Sequence, residues 1–296
     1  MDFIYLLFFH LFQFSIRILP LKIRFFLIRK LAYLIYILDA KHRKIAFVNL
    51  DIAYGTTLSK ELKDEIVRKS YENLLFNLAD FIDNQGISKE CLEKKVIFVN
   101  DHFLLNERAK GCSVVLMTAH YGNWELLSLA IAAKYGPLSV VGRPLDSTIM
   151  NTILKSNREQ YNIEMLDKKG ALKGMISAIR KGRLLGLLVD QNTAEKEGIL
   201  IDFFGKKARH TPSVAILARK LNAIVIPVFI STKDHITHTI TYYPPLPIQH
   251  SEDIDADIFA HVQSQAVITE QVIRAKPDEW FWLHQRWKNQ YEYLYQ

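Results

Sequence analysis

Residues 113–136 read SVVLMTAHYGNWELLSLAIAAKYG. The apolar run Ser113–Ala119 has the length and composition of a buried strand. Asn123 can accept a hydrogen bond from a backbone N–H of a first helical turn, and Gly136 suits a helix end. The segment therefore predicts a strand followed directly by a helix that runs to Lys134, which is the repeating unit of α/β folds.

The same alternation of apolar strands and amphipathic helices continues on both sides of this segment. It predicts an α/β fold with a mainly parallel sheet flanked by helices. The predicted strands are Leu138–Gly142, Leu184–Val189, Ala223–Ile230 and an outer strand at His235–Tyr243; the predicted helices are Leu58–Asp83, Lys169–Lys181, Pro212–Leu221 and Ile254–Arg274.

The N-terminus carries two further apolar stretches. Phe3–Leu19 has about the minimum length for a membrane span, whereas Phe25–Leu38 contains Arg29 and Lys30 and favours an interfacial helix. A cleaved signal peptide is the alternative, but no basic residues precede the first run and no small-residue cleavage site follows it. We expect residues 1–40 to form a membrane anchor with an interfacial helix, and residues 41–296 to form one domain. Basic residues after the first run predict that this domain faces the cytoplasm.

Composition limits the possible partners. The 296 residues are 49% hydrophobic with a net charge of +7, which favours nucleic acid, phospholipid headgroups, a phosphorylated substrate or an acidic carrier protein. Nucleic acid is the weakest of these, because the basic residues are dispersed and no recognition module occurs. Cys91 and Cys112 lie far apart, which argues against a disulfide framework or a thiolate zinc site. No metal is expected, because four further histidines have no matching spacing to acids or cysteines: His210, His235, His238 and His284.

The residues best suited to chemistry are His120 and Glu125, at the predicted end of a strand and start of a helix. Loops in this position commonly form sites in α/β proteins. A turn through Gly122 could bring the imidazole back over the first helical turn, where Glu125 would accept the Nδ1 hydrogen and leave Nε2 free to take a proton. A purely structural histidine is the alternative, since this spacing alone also arises by chance.

Further motifs give the spacing its meaning. The chain resembles the late acyltransferases of lipid A biosynthesis, which include lauroyl and myristoyl transferases and belong to the lysophospholipid acyltransferase superfamily with its H-x4-D/E motif. His120 and Glu125 match that motif in its Glu form (HX4E), and the resemblance extends over Leu38–Lys288. The other matching residues are Gly142-Arg143-Pro144, Asp146, Arg158, Leu166-Asp167, Leu172-Lys173-Gly174-Met175, Asp190-Gln191, Asp202-Phe203-Phe204-Gly205, Thr211, Pro277, Trp280, Trp282, His284, Arg286, Trp287 and Lys288.

This resemblance implies a glycerol-phosphate-acyltransferase-like fold, with residues 41–296 as the acyltransferase domain. It also implies an acyl carrier protein thioester as donor and a hydroxyl of a Kdo-lipid A precursor of the lipid IVA type as acceptor. No cofactor, no metal and no acyl-enzyme intermediate are expected. The implied location is the bacterial inner membrane.

Roles for individual residues follow from the resemblance and from residue chemistry. His120 is expected to be the general base and Glu125 to orient it. Arg143 and Arg158 are expected to bind substrate phosphate or carboxylate groups, or else to pair with nearby acids on the surface. Asp190 is expected to orient Arg143 or the acceptor, with a simple turn residue as the alternative.

The aromatic residues allow two interpretations each. Phe204 is expected to line an acyl tunnel, although plain core packing also explains it. Trp280, Trp282 and Trp287 suit either a membrane interface or the core.

Two other functions remain possible from the sequence. One is an acyltransferase acting on another glycolipid, such as phosphatidylinositol mannoside. The other is a non-catalytic protein that binds membrane surfaces through its basic face. The presence of both His120 and Glu125 argues against this second function.

Overall fold

The computed structural model describes residues 2–142, 147–168 and 170–296. The strands are β1 (Val96–Val99), β2 (Val114–Thr118), β3 (Leu138–Gly142), β4 (Ile163–Asp167), β5 (Leu184–Leu188), β6 (Ile199–Phe203), β7 (Lys206–His210), β8 (Ile224–Thr232) and β9 (His238–Tyr242). The helices are α1 (Asp2–Ile18), α2 (Leu21–Leu38), α3 (Ala40–Tyr54), α4 (Lys60–Asp83), α5 (Lys89–Lys95), α6 (His102–Ala109), α7 (Trp124–Tyr135), α8 (Thr148–Arg158), α9 (Ala171–Arg180), α10 (Ser213–Leu221), α11 (Ile254–Ala275) and α12 (Lys288–Tyr291).

The described strands form a central sheet in the order β1-β9-β8-β2-β5-β3-β4 and a separate antiparallel hairpin of β6 and β7. From β8 to β4 all neighbouring strands are parallel, which confirms the predicted α/β class with a mainly parallel sheet. β9 runs antiparallel to β8. The prediction of His235–Tyr243 as an outer strand was wrong in position, because β1 pairs with β9 and covers that edge.

Both faces of the sheet are buried, as the apolar run in β2 predicts. Val114 and Leu116 point into the core that α7 covers, and Val115 and Met117 point into the core that contains α10 and α11 residues. Each fully buried aliphatic side chain of this kind contributes about 1.5–3 kcal/mol. The central strands are therefore held rigidly, and so are the loops that follow their carboxyl ends.

Helix α7 begins and ends where the sequence predicts. The side chain of Asn123 accepts a hydrogen bond from the backbone N–H of Leu126 at 3.1 Å, as expected of an N-cap. Gly136 ends the helix with a φ of 98°, a conformation that glycine adopts without steric cost. The short connection from β2 to α7 fixes the position of His120 and of Glu125 in the first helical turn.

The N-terminal helices pack on the body by only part of their surface. Ile28 and Ala32 of α2 are buried against α4, where they meet Phe76 and Ala79. Among the described residues, no helix has both the length and the apolar character required to cross a bilayer. The membrane anchor predicted for residues 1–40 is thus not confirmed. The exposed apolar side chains of the two helices include Leu7, Leu11, Phe14, Ile18, Phe26, Leu27, Leu31, Leu34, Ile37 and Leu38.

Candidate active site

The register of two neighbouring parallel strands brings His120 next to Asp190. Thr118 of β2 pairs with Leu188 of β5, and each chain continues two residues beyond this pair. Because parallel strands end at the same edge of a sheet, His120 and Asp190 emerge side by side. The His120 Nδ1 atom lies 2.8 Å from the Asp190 Oδ1 atom.

Asp190 is a buried carboxylate with three donors. Its side chain is only 3% exposed, and it accepts hydrogen bonds from the backbone N–H and Nδ1–H of His120 and from the Trp280 indole N–H at 2.8 Å. Burial raises the pKa of this carboxyl, but these hydrogen bonds and the attraction to His120 in its protonated form lower it by more. Its pKa is therefore well below the usual value, and the carboxylate is ionised at neutral pH.

The contact with Asp190 fixes the tautomer of His120. Since Nδ1–H donates to the carboxylate, Nε2 of the neutral imidazole is an acceptor. The amide nitrogen of the Gln191 side chain lies 3.2 Å from Nε2 of His120. The rings of Trp124 and Phe281 border the imidazole. The His120 side chain is 18% exposed, so Nε2 is accessible to a substrate that displaces the amide.

The loop that carries His120 is tied to the C-terminal segment. The backbone N–H of Gly122 donates to the Glu279 carbonyl at 2.9 Å, and the N–H of Phe281 donates to the His120 carbonyl at 2.9 Å. Gly122 has a φ of 55°, and a Cβ at this position would lie 2.0 Å from the Ile230 carbonyl oxygen. Only glycine fits there, which explains the glycine between His120 and Asn123.

The predicted contact between His120 and Glu125 was wrong. Glu125 instead pairs with Arg158 at the end of α8: Arg158 Nε donates to Glu125 Oε2 at 2.9 Å, and Nη2 donates to Oε1. The physical reason is competition, because the Nδ1–H of His120 is already taken by Asp190 in the next strand. The Arg158 guanidinium also lies beside Gly142, with Nη1 3.3 Å from the position that a Cβ would occupy there.

The structure thus brings together four of the predicted residues in two pairs, His120 with Asp190 and Glu125 with Arg158. Asp190 contacts the His120 imidazole directly, and its predicted role in orienting Arg143 or the acceptor stays a prediction. Arg143 lies outside the described residues.

Phe204 is buried and packs edge-on against Tyr54 and the tryptophans of the core. Plain core packing therefore accounts for its position. The role of Phe204 in an acyl tunnel stays a prediction.

The C-terminal tryptophans close the core. Trp282 and Trp287 are fully buried, and Trp280 is 3% exposed with its N–H on Asp190. The contact of Trp280 with Asp190 is not predicted by the sequence. The signals for Trp280 in the sequence were its match to the acyltransferase family and its place in a block of aromatic and basic residues, which is also typical of a membrane interface.

A second layer of buried polar groups supports the loop after β5. Arg286 is fully buried, and its guanidinium donates to the Gln191 and Arg209 carbonyls and to His210 Nδ1. Burial, together with the charge of Arg286, lowers the pKa of His210 to about 3, and burial lowers the pKa of His284 to about 4. Both histidines are therefore neutral at physiological pH. In the part of the chain that the structure describes, no group of three His, Cys, Asp or Glu side chains is arranged to hold a metal.

Comparison with known proteins gives this site its context. Residues 2–289 match the family described as bacterial lipid A biosynthesis acyltransferase. A lipid A biosynthesis acyltransferase of Haemophilus influenzae is 21% identical over 71% of this chain and 66% of its own length. The lipid A biosynthesis lauroyltransferase of Escherichia coli is 23% identical over 85% of this chain and 81% of its own. A phosphatidylinositol mannoside acyltransferase of Mycobacterium tuberculosis is 24% identical over 60% of this chain and 56% of its own. The chain belongs to the bacterial lipid A biosynthesis acyltransferase family.

Proposed function

We propose that this acyltransferase moves a fatty acyl chain from an acyl carrier protein thioester to a hydroxyl of a Kdo-lipid A precursor of the lipid IVA type. The observation that carries the proposal is the His120–Asp190 pair, with an accessible Nε2 acceptor at the carboxyl edge of the parallel sheet. Family membership supports the acyl transfer, and the named donor and acceptor are our inference from it.

In the proposed reaction, His120 acts as the general base. Nε2 takes the proton of the acceptor hydroxyl as its oxygen attacks the thioester carbonyl carbon, and positive charge develops on the imidazole. The Asp190 carboxylate stabilises this charge and keeps Nδ1 protonated throughout. Because Asp190 is buried and ionised, it is present in the correct state before substrate binds.

Arg143 and Arg158 are proposed to bind phosphate groups of the substrates. A guanidinium group can donate two parallel hydrogen bonds to one phosphate. For Arg158 this role depends on Glu125, which we propose holds the guanidinium beside Gly142 instead of orienting the base. Glu125 is thus a positioning residue, and Arg158 keeps donor atoms beyond the two that this carboxylate uses.

The ion pair leads to a prediction about Glu125. Glu125→Gln should lower the free energy of unfolding by about 2 kcal/mol, because Arg158 loses a charged, partly buried partner. Activity should fall by about 10- to 100-fold through misplacement of Arg158. The measurements are chemical denaturation and transfer kinetics of Glu125→Gln, Arg158→Gln and the double variant.

The double variant provides the control. If the two residues act as a unit, it should lose little more stability than either single variant. Strictly additive losses would show that Glu125 and Arg158 act separately, and would contradict the proposed role of Glu125 in positioning Arg158.

Residues 1–40 are proposed to hold the protein at the inner membrane, with residues 41–296 as the catalytic domain on the cytoplasmic side. The many exposed apolar side chains of α1 and α2 support this proposal, since amphipathic helices at a membrane surface bury such side chains in the lipid. Lys22, Arg24 and Lys30 on α2 add attraction to anionic lipid.

Removal of residues 1–21 should weaken binding to vesicles of phosphatidylethanolamine and phosphatidylglycerol in a flotation assay. The remaining affinity, carried by α2, should be sensitive to salt. The double variant Leu11→Asp/Phe14→Asp should also weaken vesicle binding. Leu62→Asp, at an exposed apolar position on α4, should leave vesicle binding unchanged. A truncated protein that floats fully in high salt would contradict a main role for α1.

The function is tested by incubating purified protein with lauroyl- or myristoyl-acyl carrier protein and either Kdo-lipid IVA or phosphatidylinositol mannoside. The second acceptor is included because a relative in Mycobacterium tuberculosis carries that name. Acylation of Kdo-lipid IVA is expected. Acylation of the mannoside alone would replace the acceptor in our proposal, and the absence of any transfer would favour a binding function.

A further inference from the structure

A second polar side chain contacts the imidazole of His120. The Gln191 amide nitrogen lies 3.2 Å from His120 Nε2, the atom proposed to take the substrate proton. Because Nδ1–H of the neutral ring is directed at Asp190, Nε2 can only accept, so the amide N–H is the donor in this contact. A hydrogen-bond donor therefore lies where the reacting hydroxyl and the thioester carbonyl must meet.

Hydrogen bonds to Arg286 and His284 hold the backbone around Gln191, while Gln191 itself is exposed. Its carbonyl accepts from the buried Arg286 guanidinium at 3.4 Å, and the next N–H, of Asn192, donates to His284 Nε2 at 3.0 Å. Asp190 is fixed by His120 and Trp280. The donor thus sits on a rigid support and has room to turn when substrate enters.

The proposed reaction needs such a donor. When the hydroxyl oxygen attacks the carbonyl carbon, a C–O bond forms, the proton moves to His120 Nε2, and the carbonyl π electrons become a negative charge on oxygen. Collapse of this intermediate breaks the C–S bond, and the leaving thiolate takes the proton from His120. Donors aimed at the developing oxyanion commonly supply about 10²–10³-fold of rate each.

We infer that Gln191 is a further catalytic residue: its side-chain amide leaves His120 Nε2 when the acceptor hydroxyl arrives and donates to the thioester carbonyl oxygen as it becomes negative. The inference rests on the proposed function. In the described part of the chain, the polar side chains that contact the imidazole are those of Asp190 and Gln191. The nearby Trp280 N–H already donates to Asp190.

The test compares Gln191→Ala and Gln191→Glu with Glu197→Ala, a control at an exposed position in the same connection between β5 and β6. Two rates are measured with the acyl carrier protein thioester: transfer to Kdo-lipid IVA, and hydrolysis of the thioester without acceptor. Both Gln191 variants should lose about 10²-fold in kcat for both reactions. The KM for the acceptor should stay close to that of wild type, and Glu197→Ala should match wild type throughout.

Each alternative outcome decides the matter. A loss confined to the acceptor KM, with hydrolysis unchanged, would make Gln191 an acceptor-binding residue and overturn the inference, as would variants with wild-type kcat. Gln191→Glu keeps the size of the side chain, so a folding defect limited to Gln191→Ala leaves the comparison intact. A wild-type protein that neither transfers nor hydrolyses would overturn the proposed function and this inference together.

Discussion

Replacement of His120 by asparagine should lower kcat for acyl transfer by about 10³-fold, within the range that a positioned general base supplies. The asparagine amide keeps a donor near the position of Nδ1, so the contact with the Asp190 carboxylate persists. It has no atom at the position of Nε2, so nothing removes the proton of the acceptor hydroxyl. The KM values should change little, because the proton is transferred only in the transition state.

The measurement is steady-state transfer by His120→Asn, His120→Ala and His250→Ala, with thermal unfolding as a check on the fold. His250 is exposed and lies between β9 and α11, which makes it a matched histidine control. A folded His120→Asn variant with kcat within tenfold of wild type would remove His120 from the mechanism.

Asp190→Asn should be nearly as damaging, with a loss of about 10³-fold or more in kcat. The amide oxygen can accept from Trp280 and from the His120 backbone, as the carboxylate does. Its NH2 group then faces Nδ1 and requires that nitrogen to accept, which moves the ring hydrogen to Nε2. The imidazole is held in the wrong tautomer and cannot act as base. Since Asp190 is buried, KM for either substrate should not change.

Stability provides an independent check on Asp190. Folding lowers the pKa of this carboxyl, so its contribution to stability is present above the unfolded value of 3.8 and is lost as the pH falls further. The difference in unfolding temperature between wild type and Asp190→Asn should therefore be largest at neutral pH and shrink below about pH 4. A fully active Asp190→Asn variant would mean that another group orients His120.

Local signals predicted much of the fold. The strand at Ser113–Ala119 and the helix capped by Asn123 and ended by Gly136 agree with β2 and α7 to within one residue at each end. The β6–β7 hairpin was not predicted, because charged residues in and around it obscure the alternation of apolar and polar residues. The hairpin is buried by packing against α11, which is distant in the sequence. β1 is four residues long and follows a charged helix, so it carries too little local signal to be recognised.

The candidate site was predicted only in its residue types. The spacing of His120 and Glu125 along the chain favoured a pair between them, and both residues lie near the expected strand end. The observed partner, Asp190, is set by which strand lies beside β2, and strand order is a tertiary property that no local spacing encodes. Asp190 was recognised as a residue at a strand end, but its contact with the imidazole required the register of β2 and β5.

Acyl transfer to a lipid A precursor at His120 leaves a direct trace in the cell, which mass spectrometry of lipid A detects. Lipid A is extracted from cells that lack this protein and from the same cells complemented with the wild type or with His120→Asn. We predict that one secondary acyl chain is missing without the protein, is restored by the wild type and remains missing with His120→Asn. Identical lipid A in all strains, or restoration by His120→Asn, would contradict acyl transfer at His120.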